Sequence, residues 1–222
     1  LVYDISSTST PSAPIAQYVM QLPRIDDTAS TTNGTVVNRT GAQSSITALS
    51  NTALLVLARD GNGRGTPGAP PVFKSILLAD LSNATNLGNA YNAENAAPAP
   101  NGVLQAAVTA ISWTQALNMI GGLGSFTTEV AKFGLNISSG NGTTNTLSDK
   151  WESLRLVSAG DSANPNDYFL FIGNDNNFQT TNGRMMTAAG SLSTYNAGLA
   201  HDSMLLVYRV RIVAPSLTRS EE

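Results

Sequence analysis

Two stretches of this sequence decide its fold class: ALLVLARDGN at residues 53–62 and YFLFIGNDNN at residues 168–177. Each begins with apolar, β-branched or aromatic residues and ends in polar turn formers, which is the pattern of a buried strand that leads into a turn. When one stretch is placed over the other, six residues of each apolar run coincide. We interpret them as two copies of one structural unit.

The polar ends of the two stretches also coincide, since Asp60 aligns with Asp175 and Asn62 aligns with Asn177. A weaker strand, SSITAL or ESLRLV, precedes each copy, and a third strand type, LLADL or LVYRV, follows. The sequence therefore predicts two blade repeats separated by one insertion. The repeats cover about 43–82 and 150–213, and the insertion covers about 83–145.

One stretch departs from the strand pattern. In SWTQALNMIGGL, residues 112–123, Trp113, Leu117 and Ile120 recur about once per helical turn, and Ser112 stands where an N-cap is expected. This spacing predicts one short helix within the insertion. The remaining apolar runs all predict strands: LVYDI, AQYVMQL, SSITAL, ALLVLARD, SILLADL, SLRLV, YFLFIGND and MLLVYRVRIV.

Repeats of about 40 to 50 residues with several strands each are typical of β-propeller blades. We predict an all-β fold of propeller-like blades of antiparallel strands with one short helical insertion, as part of a larger propeller; a sandwich is the alternative. Because the chain opens on a third-type strand, its first blade would lack inner strands. We expect Leu1 to Leu22 to pair with the N-terminal half of the same precursor, or with another copy in a homo-oligomer.

The composition argues against several classes of protein. Ser, Thr and Asn make up 67 of 222 residues, only 12% of residues are charged, and the formal net charge is -3. Because no basic run is present, we expect no nucleic-acid partner. The chain lacks cysteine, which excludes thiol catalysis and cysteine-ligated zinc, and it lacks Rossmann and Walker motifs, so we expect no nucleotide cofactor. No apolar stretch approaches the roughly eighteen residues of a membrane span.

Several segments together resemble the secreted fungal phytase-like family, whose domain carries the description "esterase-like activity of phytase". The segments keep the family's order: LVYDIS, LPRIDD, LLVLARDGNGRG, VFKSILLADLSNATNLG, LSDKWESLRLV, NPNDYFLFIGNDNNF and YNAGLAHDSMLLVYRV. Family members are longer, so the resemblance implies that residues 1–222 are the C-terminal half of a phytase-like propeller domain. It also implies secretion to the extracellular space or cell wall, and hydrolysis of phosphate or carboxylic esters.

The chain departs from the family pattern at two positions. Asn177 stands where the family has the second acid of Asn-Asp-Asn-Asp-Phe, and Ser45 stands where the family has Glu. Each difference removes a carboxylate from a candidate site. Either a metal-dependent or acid-dependent activity is weakened here, or those positions are not catalytic.

The two aspartate turns are candidate calcium sites. Asp60 and Asn62 in RDGNGRG, and Asp175 and Asn177 in NDNNF, place oxygen ligands at alternate positions, as Ca²⁺ sites do. In the alternative, each aspartate accepts a hydrogen bond from its own backbone in a turn at the end of a strand. Turn chemistry favours this alternative.

Four residues are candidates for ester hydrolysis: Arg59, Asp60, Glu152 and Asp175. Glu152 lies on the KWESL strand, where its side chain points either to solvent or into a propeller channel. If it points inward with the two aspartates, three carboxylates could bind a cation or act as general acid and base. A hydrolase requires the four residues around one cavity, whereas scattered positions favour a non-catalytic extracellular binding or structural module.

His201 is the one histidine of the chain, so any Ser-His-Asp mechanism must use it. No Gly-x-Ser-x-Gly motif is present. Asp202 is its neighbour on the chain, and adjacent strand residues point to opposite faces. We therefore predict a surface histidine rather than a serine-esterase triad.

Glycosylation sequons also occur, although this composition produces roughly four of them by chance. The resemblance to a secreted family, rather than their number, makes them candidate glycosylation sites. They are Asn33, Asn38, Asn83, Asn136 and Asn141.

Overall fold

The computed structural model describes residues 1–25, 39–66, 70–91, 96–121, 130–137, 143–213 and 216–219. Strands dominate the regular structure of these residues, as the sequence predicts. They are β1 (Arg24–Ile25), β2 (Arg39–Thr40), β3 (Ala42–Ala48), β4 (Ala53–Arg59), β5 (Lys74–Asp80), β6 (Ser112–Asn118), β7 (Trp151–Ser158), β8 (Asp167–Asn174), β9 (Gly183–Met186), β10 (Leu192–Tyr195), β11 (Leu205–Val213) and β12 (Ser216–Arg219). A 3₁₀ helix covers Pro100–Gly102.

The larger sheets each contain four strands that neighbour one another in chain order. One sheet has the order β3-β4-β5-β6, and the other has the order β7-β8-β11-β12, with the β9–β10 hairpin inserted between β8 and β11. In the second sheet, β8 is antiparallel to both of its neighbours. The two stretches that decide the fold prediction are β4 and β8, and each is the second strand of its sheet.

Burial of apolar residues explains why β4 and β8 are central. Leu55 and Leu57 on β4, and Leu170 and Ile172 on β8, are fully buried. Four consecutive residues of β4 are buried, so both faces of this strand are covered. At roughly 25 cal/mol per Å² of apolar surface, each such side chain stabilises the fold by about 1.5–3 kcal/mol.

By its internal contacts the chain forms two compact units. The first comprises Leu1–Gln21, Ala48–Leu54 and Ala79–Thr114. The second comprises Leu22–Thr47, Leu55–Leu78 and Gln115–Glu222. All the candidate catalytic and calcium-binding residues belong to the second unit.

The predicted helix at residues 112–123 is wrong over its first seven residues, which form β6. Gln115 Nε2 donates a hydrogen bond to Ser75 Oγ at 2.6 Å, and the Met119 amide donates to the Lys74 carbonyl at 2.9 Å. A helix this short is marginal alone, so a neighbouring strand outweighs the helical spacing of its apolar residues. The segment predicted as an insertion thus contains the fourth strand of the first sheet.

Two predicted strands near the N-terminus, LVYDI and AQYVMQL, do not form strands. Val2 pairs with Ala16 and Met20 pairs with Ile111, both as isolated bridges. Two prolines lie between Val2 and Ala16, and proline cannot donate a hydrogen bond to a sheet. Apolar side chains of this segment remain exposed, including Leu1 at 74% and Ile5 at 70%.

Candidate functional site

The first aspartate turn is built around a buried carboxylate. Asp60 follows the last residue of β4 and is 5% exposed. Its Oδ1 accepts hydrogen bonds from the Asn62 amide at 3.1 Å and from Lys74 Nζ at 2.7 Å. Its Oδ2 accepts from the amides of Val72 and Phe73. Both oxygens are therefore committed to holding the loop between β4 and β5.

Lys74 is the cation of this turn and is fully buried. Besides the Asp60 carboxylate, its ammonium donates to the carbonyls of Asp60 at 3.2 Å and Asp149 at 2.8 Å. Desolvation lowers the pKa of Lys74 from its ordinary value, while the charge of Asp60 opposes that change. The pair ties β5 to the end of β4 and to the segment before β7.

The second aspartate turn repeats this chemistry nearer the surface. Asp175 Oδ1 accepts a hydrogen bond from the Asn177 amide at 2.8 Å, and its Oδ2 accepts from Lys150 Nζ at 2.9 Å. Lys150 also donates to Asn177 Oδ1 at 2.9 Å. The Lys150 ammonium, together with the Asn177 amide, holds the pKa of Asp175 below its usual range.

Neither aspartate turn fits the predicted Ca²⁺ site. In each turn a lysine ammonium, Lys74 or Lys150, lies against the oxygens that were expected to hold the metal. The aspartates also accept backbone hydrogen bonds, as the turn alternative requires. Among the residues that the structure describes, no three His, Cys, Asp or Glu side chains are grouped to hold a metal ion.

Three of the four candidate catalytic residues meet in one ion-pair network. Arg59 Nη2 lies 2.7 Å from Glu152 Oε1, and Glu152 Oε2 lies 3.6 Å from Lys150 Nζ, which also pairs with Asp175. The network alternates two cations with two carboxylates, so its formal charges cancel. Asp60 contacts it only through its carbonyl, which accepts a hydrogen bond from Arg59 Nη1 at 3.2 Å.

A pocket of about 500 Å³ adjoins this network, beside the second turn. Phe178, on its wall, is 83% exposed. Asn177 belongs to both the network and the pocket, since its side chain accepts from Lys150 and also lines the cavity. The lining comprises Asn176, Asn177, Phe178, Thr180, Gly183, Arg184, Met185 and Tyr195.

The pocket wall contains backbone in a rare conformation. Asn177 and Phe178 have φ of 53° and 55°, in the left-handed region that is disfavoured for bulky residues. The Phe178 amide donates to Asn176 Oδ1 at 3.0 Å, and the Gln179 amide donates to the Asn176 carbonyl at 2.9 Å. These bonds stabilise the backbone of the turn in this conformation.

Sequence reasoning missed the residues of this pocket. Asn176 and Phe178 lie within the quoted NDNNF motif, but Arg184 and Tyr195 come from the β9–β10 hairpin, which was not predicted. One signal was available: the RDGNGRG turn contains three glycines, whereas NDNNF has none. Where the second turn requires positive φ, it must therefore use residues with side chains.

His201 is buried, at 2% exposure, so the prediction of a surface histidine is wrong. Its amide donates to the Gln179 carbonyl at 2.8 Å, and its Nε2 lies 3.4 Å from Asn174 Nδ2. Burial lowers the pKa of His201 from its ordinary value of 6.5. The backbone hydrogen bond to Gln179 places His201 against the segment that follows the second turn, where its ring is buried.

Two of the five sequons lie within the described residues. Asn83 is exposed in a turn, as a glycosylated asparagine must be. Asn136 is half-buried, and its side chain bonds Thr143 and Thr146. Asn33, Asn38 and Asn141 lie outside the described residues.

No protein-family model, curated protein or solved structure matches this chain. Over the part of the chain that the structure describes, no helix combines the length and apolar character needed to cross a membrane.

Proposed function

We propose that this chain is a non-catalytic extracellular binding module whose ligand occupies the pocket beside the second aspartate turn. The observation that carries the proposal is the left-handed, 83% exposed Phe178 on the pocket wall. A bulky residue in this region costs about 1–3 kcal/mol and persists where the surrounding structure enforces it. Exposing a phenyl ring in this way stabilises nothing in the free chain, but it provides a contact surface for a ligand.

The lining of the pocket suits a polar ligand with an apolar face. Phe178 and Tyr195 supply aromatic rings, while Asn176, Asn177 and Thr180 supply amides and a hydroxyl. A few polar groups among aromatic side chains is the usual make-up of small-molecule sites, whose volumes run from about 300 to 1,000 Å³.

We further propose that the two four-stranded sheets are blades of a propeller, of which this chain is the C-terminal half in the phytase-like family. Their strands neighbour one another in chain order, as blade strands do. Thr47 Oγ1 on β3 also donates a hydrogen bond to the Leu154 carbonyl on β7 at 3.3 Å, a contact that neighbouring blades would make. The resemblance noted above supports the family and a secreted location.

The exposed apolar residues of the N-terminal segment support a partner that covers them. We propose the N-terminal half of the same precursor, with a homo-oligomer as the alternative. Native mass spectrometry and denaturing electrophoresis of the purified protein test this: a second polypeptide, or a multiple of 23.1 kDa, is expected. A lone monomer in native solution would contradict it.

Ester hydrolysis is the second candidate, and the meeting of Arg59, Glu152 and Asp175 in one network favours it. Two features rank it second. Each carboxylate is paired with a cation, and the lowered pKa of Asp175 makes it a weak general base. The balanced charges also leave no excess positive field to attract a phosphate ester.

The two functions are separated by two variants and two assays. Binding is measured by affinity electrophoresis against a panel of neutral and acidic polysaccharides, and hydrolysis with 4-nitrophenyl phosphate and 4-nitrophenyl butyrate. We expect Phe178→Asn to abolish binding, Asp175→Asn to weaken it less, and neither ester to be cleaved above background. Turnover that Asp175→Asn abolishes and Phe178→Asn preserves would replace the binding module with the hydrolase.

A further inference from the structure

We infer that the pocket binds a sugar unit that carries a carboxylate, with the carboxylate paired to Arg184 and the sugar ring stacked on Phe178. This inference rests on the proposed binding function and names its ligand class. It follows from three features of the pocket wall: an arginine with no acidic partner among the described residues, amide groups whose oxygens are already used, and an exposed aromatic ring.

Arg184 is the one charged side chain among the eight pocket-lining residues. Its side chain is exposed on β9 and forms no ion pair or hydrogen bond with another described residue. Two other arginines of the same unit do have acidic partners, since Arg59 pairs with Glu152 and Arg211 pairs with Asp167. An arginine fork binds a carboxylate through two parallel hydrogen bonds, so Arg184 is suited to an anionic group of the ligand.

Arg184 lies on a short but well-defined support. Its backbone pairs with Thr194 across the antiparallel β9–β10 hairpin. The tip of the hairpin is closed by hydrogen bonds between Thr187 and Ser191, at 2.8 Å between backbone atoms and 2.9 Å between hydroxyls. The backbone from which the Arg184 guanidinium extends is therefore well ordered beside the pocket.

The asparagine amides of the wall are oriented by their partners. Asn176 Oδ1 accepts from the Phe178 amide, and Asn177 Oδ1 accepts from the Lys150 ammonium. Because those partners are donors, each must face the amide oxygen, which leaves the two NH₂ groups as donors. Neither NH₂ group bonds another described residue, so the wall offers donors to a ligand rich in acceptors.

The exposed aromatic ring of the pocket indicates the chemistry of the rest of the ligand. A sugar ring has an apolar C–H face that packs on an aromatic ring, with hydroxyls around its edge that hydrogen-bond amides. A simple carboxylic acid would use Arg184 but leave the Phe178 ring exposed, and a neutral sugar would use the ring but leave Arg184 without a partner. A uronic acid unit fits both features.

The test uses one polymer in two charge states: polygalacturonate and its fully methylated ester. Binding to the full chain is measured by isothermal titration calorimetry for the wild type and for Arg184→Gln. Arg155→Gln is the matched control, because Arg155 is also exposed in the same unit, without a described partner, and does not line the pocket. Thermal unfolding confirms that all variants fold.

We expect the wild type to bind the acidic polymer about tenfold or more tightly than the ester, as one charge-assisted pair implies. Arg184→Gln should lose that difference, and Arg155→Gln should keep it. Equal affinity for both polymers, or an equal loss in Arg155→Gln, would overturn the inference.

Phe178→Asn separates this inference from the proposed function. If Phe178→Asn lowers the affinity for both polymers while Arg184→Gln leaves both affinities unchanged, the pocket binds sugars but the carboxylate assignment fails. If Phe178→Asn leaves the affinity for both polymers unchanged, the pocket is not the binding site, and both this inference and the proposed function fail.

Discussion

The two aspartate turns share a local design but differ in burial. In each, an aspartate after the second strand of a sheet accepts a hydrogen bond from the amide two residues later and pairs with a lysine. Lys74 and Asp60 have side chains that are 0% and 3% exposed, whereas those of Lys150 and Asp175 are 32% and 38% exposed. The same motif is thus part of the core in one sheet and the rim of a pocket in the other.

The turns also differ in how they accommodate unusual backbone. The first places glycine at its positive-φ positions, Gly63 at 128° and Gly65 at 109°, and packs tightly against the segment before β7. The second turn has Asn177 and Phe178 at its positive-φ positions and borders the pocket. Glycine permits close packing of backbone, while a left-handed side chain displays a group to solvent.

The largest expected effect tests the difference in burial. Lys74→Met leaves the Asp60 carboxylate buried without its cation, and we expect a loss of about 3–5 kcal/mol in the free energy of unfolding. Lys150→Met removes the corresponding cation from an exposed pair, so its effect should be far smaller. Urea unfolding of both variants measures the difference.

A second substitution strengthens that test. Asp60→Asn in the Lys74→Met background removes the uncompensated charge, so it should restore part of the lost stability. Equal effects of Lys74→Met and Lys150→Met would show that the two turns do not differ energetically.

The next effect tests the packing of the first turn. A Cβ on Gly65 would lie 2.7 Å from Asp149 Oδ1 and 2.8 Å from His201 Nδ1, in a conformation that already disfavours side chains. We expect Gly65→Ala to cost about 2–4 kcal/mol. Gly61→Ala is the matched control, because nothing lies within 4 Å of its Cβ position. A Gly65→Ala protein as stable as Gly61→Ala would contradict the structure of this turn.

A third effect concerns pH and the support behind the second turn. Burial lowers the pKa of His201 below 6.5, so the unfolded chain binds a proton more readily than the folded one. The stability contributed by neutral His201 is therefore complete above about pH 6.5 and is lost as the pH falls towards the folded pKa. His201→Gln should show a flatter dependence of the free energy of unfolding between pH 7 and 5.

The charges that face His201 set the control for this measurement. Asp149, Asp202 and Asp175 favour its protonated form, and Arg64 opposes it. Because the pKa of Asp175 is lowered from its ordinary value of 3.8, its contribution to the free energy of unfolding is lost only below about that pH. Asp175→Asn should therefore leave the slope between pH 7 and 5 nearly unchanged, and a slope that His201→Gln does not alter would contradict this assignment.

The smallest effect tests whether the second turn stores strain for binding. Asparagine tolerates the left-handed region better than phenylalanine, and the 83% exposed ring contributes little burial. We expect Phe178→Asn to raise the free energy of unfolding by roughly 0.5–1 kcal/mol while abolishing binding. Phe178→Ala removes the ring but keeps much of the backbone cost, so it should not stabilise. A destabilised Phe178→Asn protein would refute the strain argument.

The sequence predicted the central strands well because burial leaves a clear pattern. The runs that became β3, β4, β5, β7, β8 and β11 are apolar and bounded by turn formers. The hairpin strands β9 and β10 were missed, since GRMM and LSTY lack such a run. β6 was predicted as a helix because its apolar spacing fits a helix as well as a strand. Its partner strand β5 lies more than 30 residues away, so no local pattern indicated the pairing.

The candidate site was predicted only in part, for a similar reason. Arg59 and Asp175 were selected from strand ends and Glu152 from within a strand, and the structure brings the three together. The lysines that neutralise the two aspartates were not foreseen, because Lys74 lies 14 residues from Asp60 and Lys150 lies 25 residues from Asp175. Nothing local distinguishes a lysine that will be fully buried from one on the surface.

The sequence by itself determined the all-β class, the two aspartate turns and the hydrogen bond that each aspartate accepts from the amide two residues later, because each depends on residues close together in the chain. Only the tertiary structure decided which turn is buried, that lysine ammoniums lie where calcium was expected, and that His201 lies inside. Those outcomes depend on the solvent exposure of each group, and exposure is set by the elements that pack around it. A charge in water and the same charge in a core obey different energetics, even within one motif.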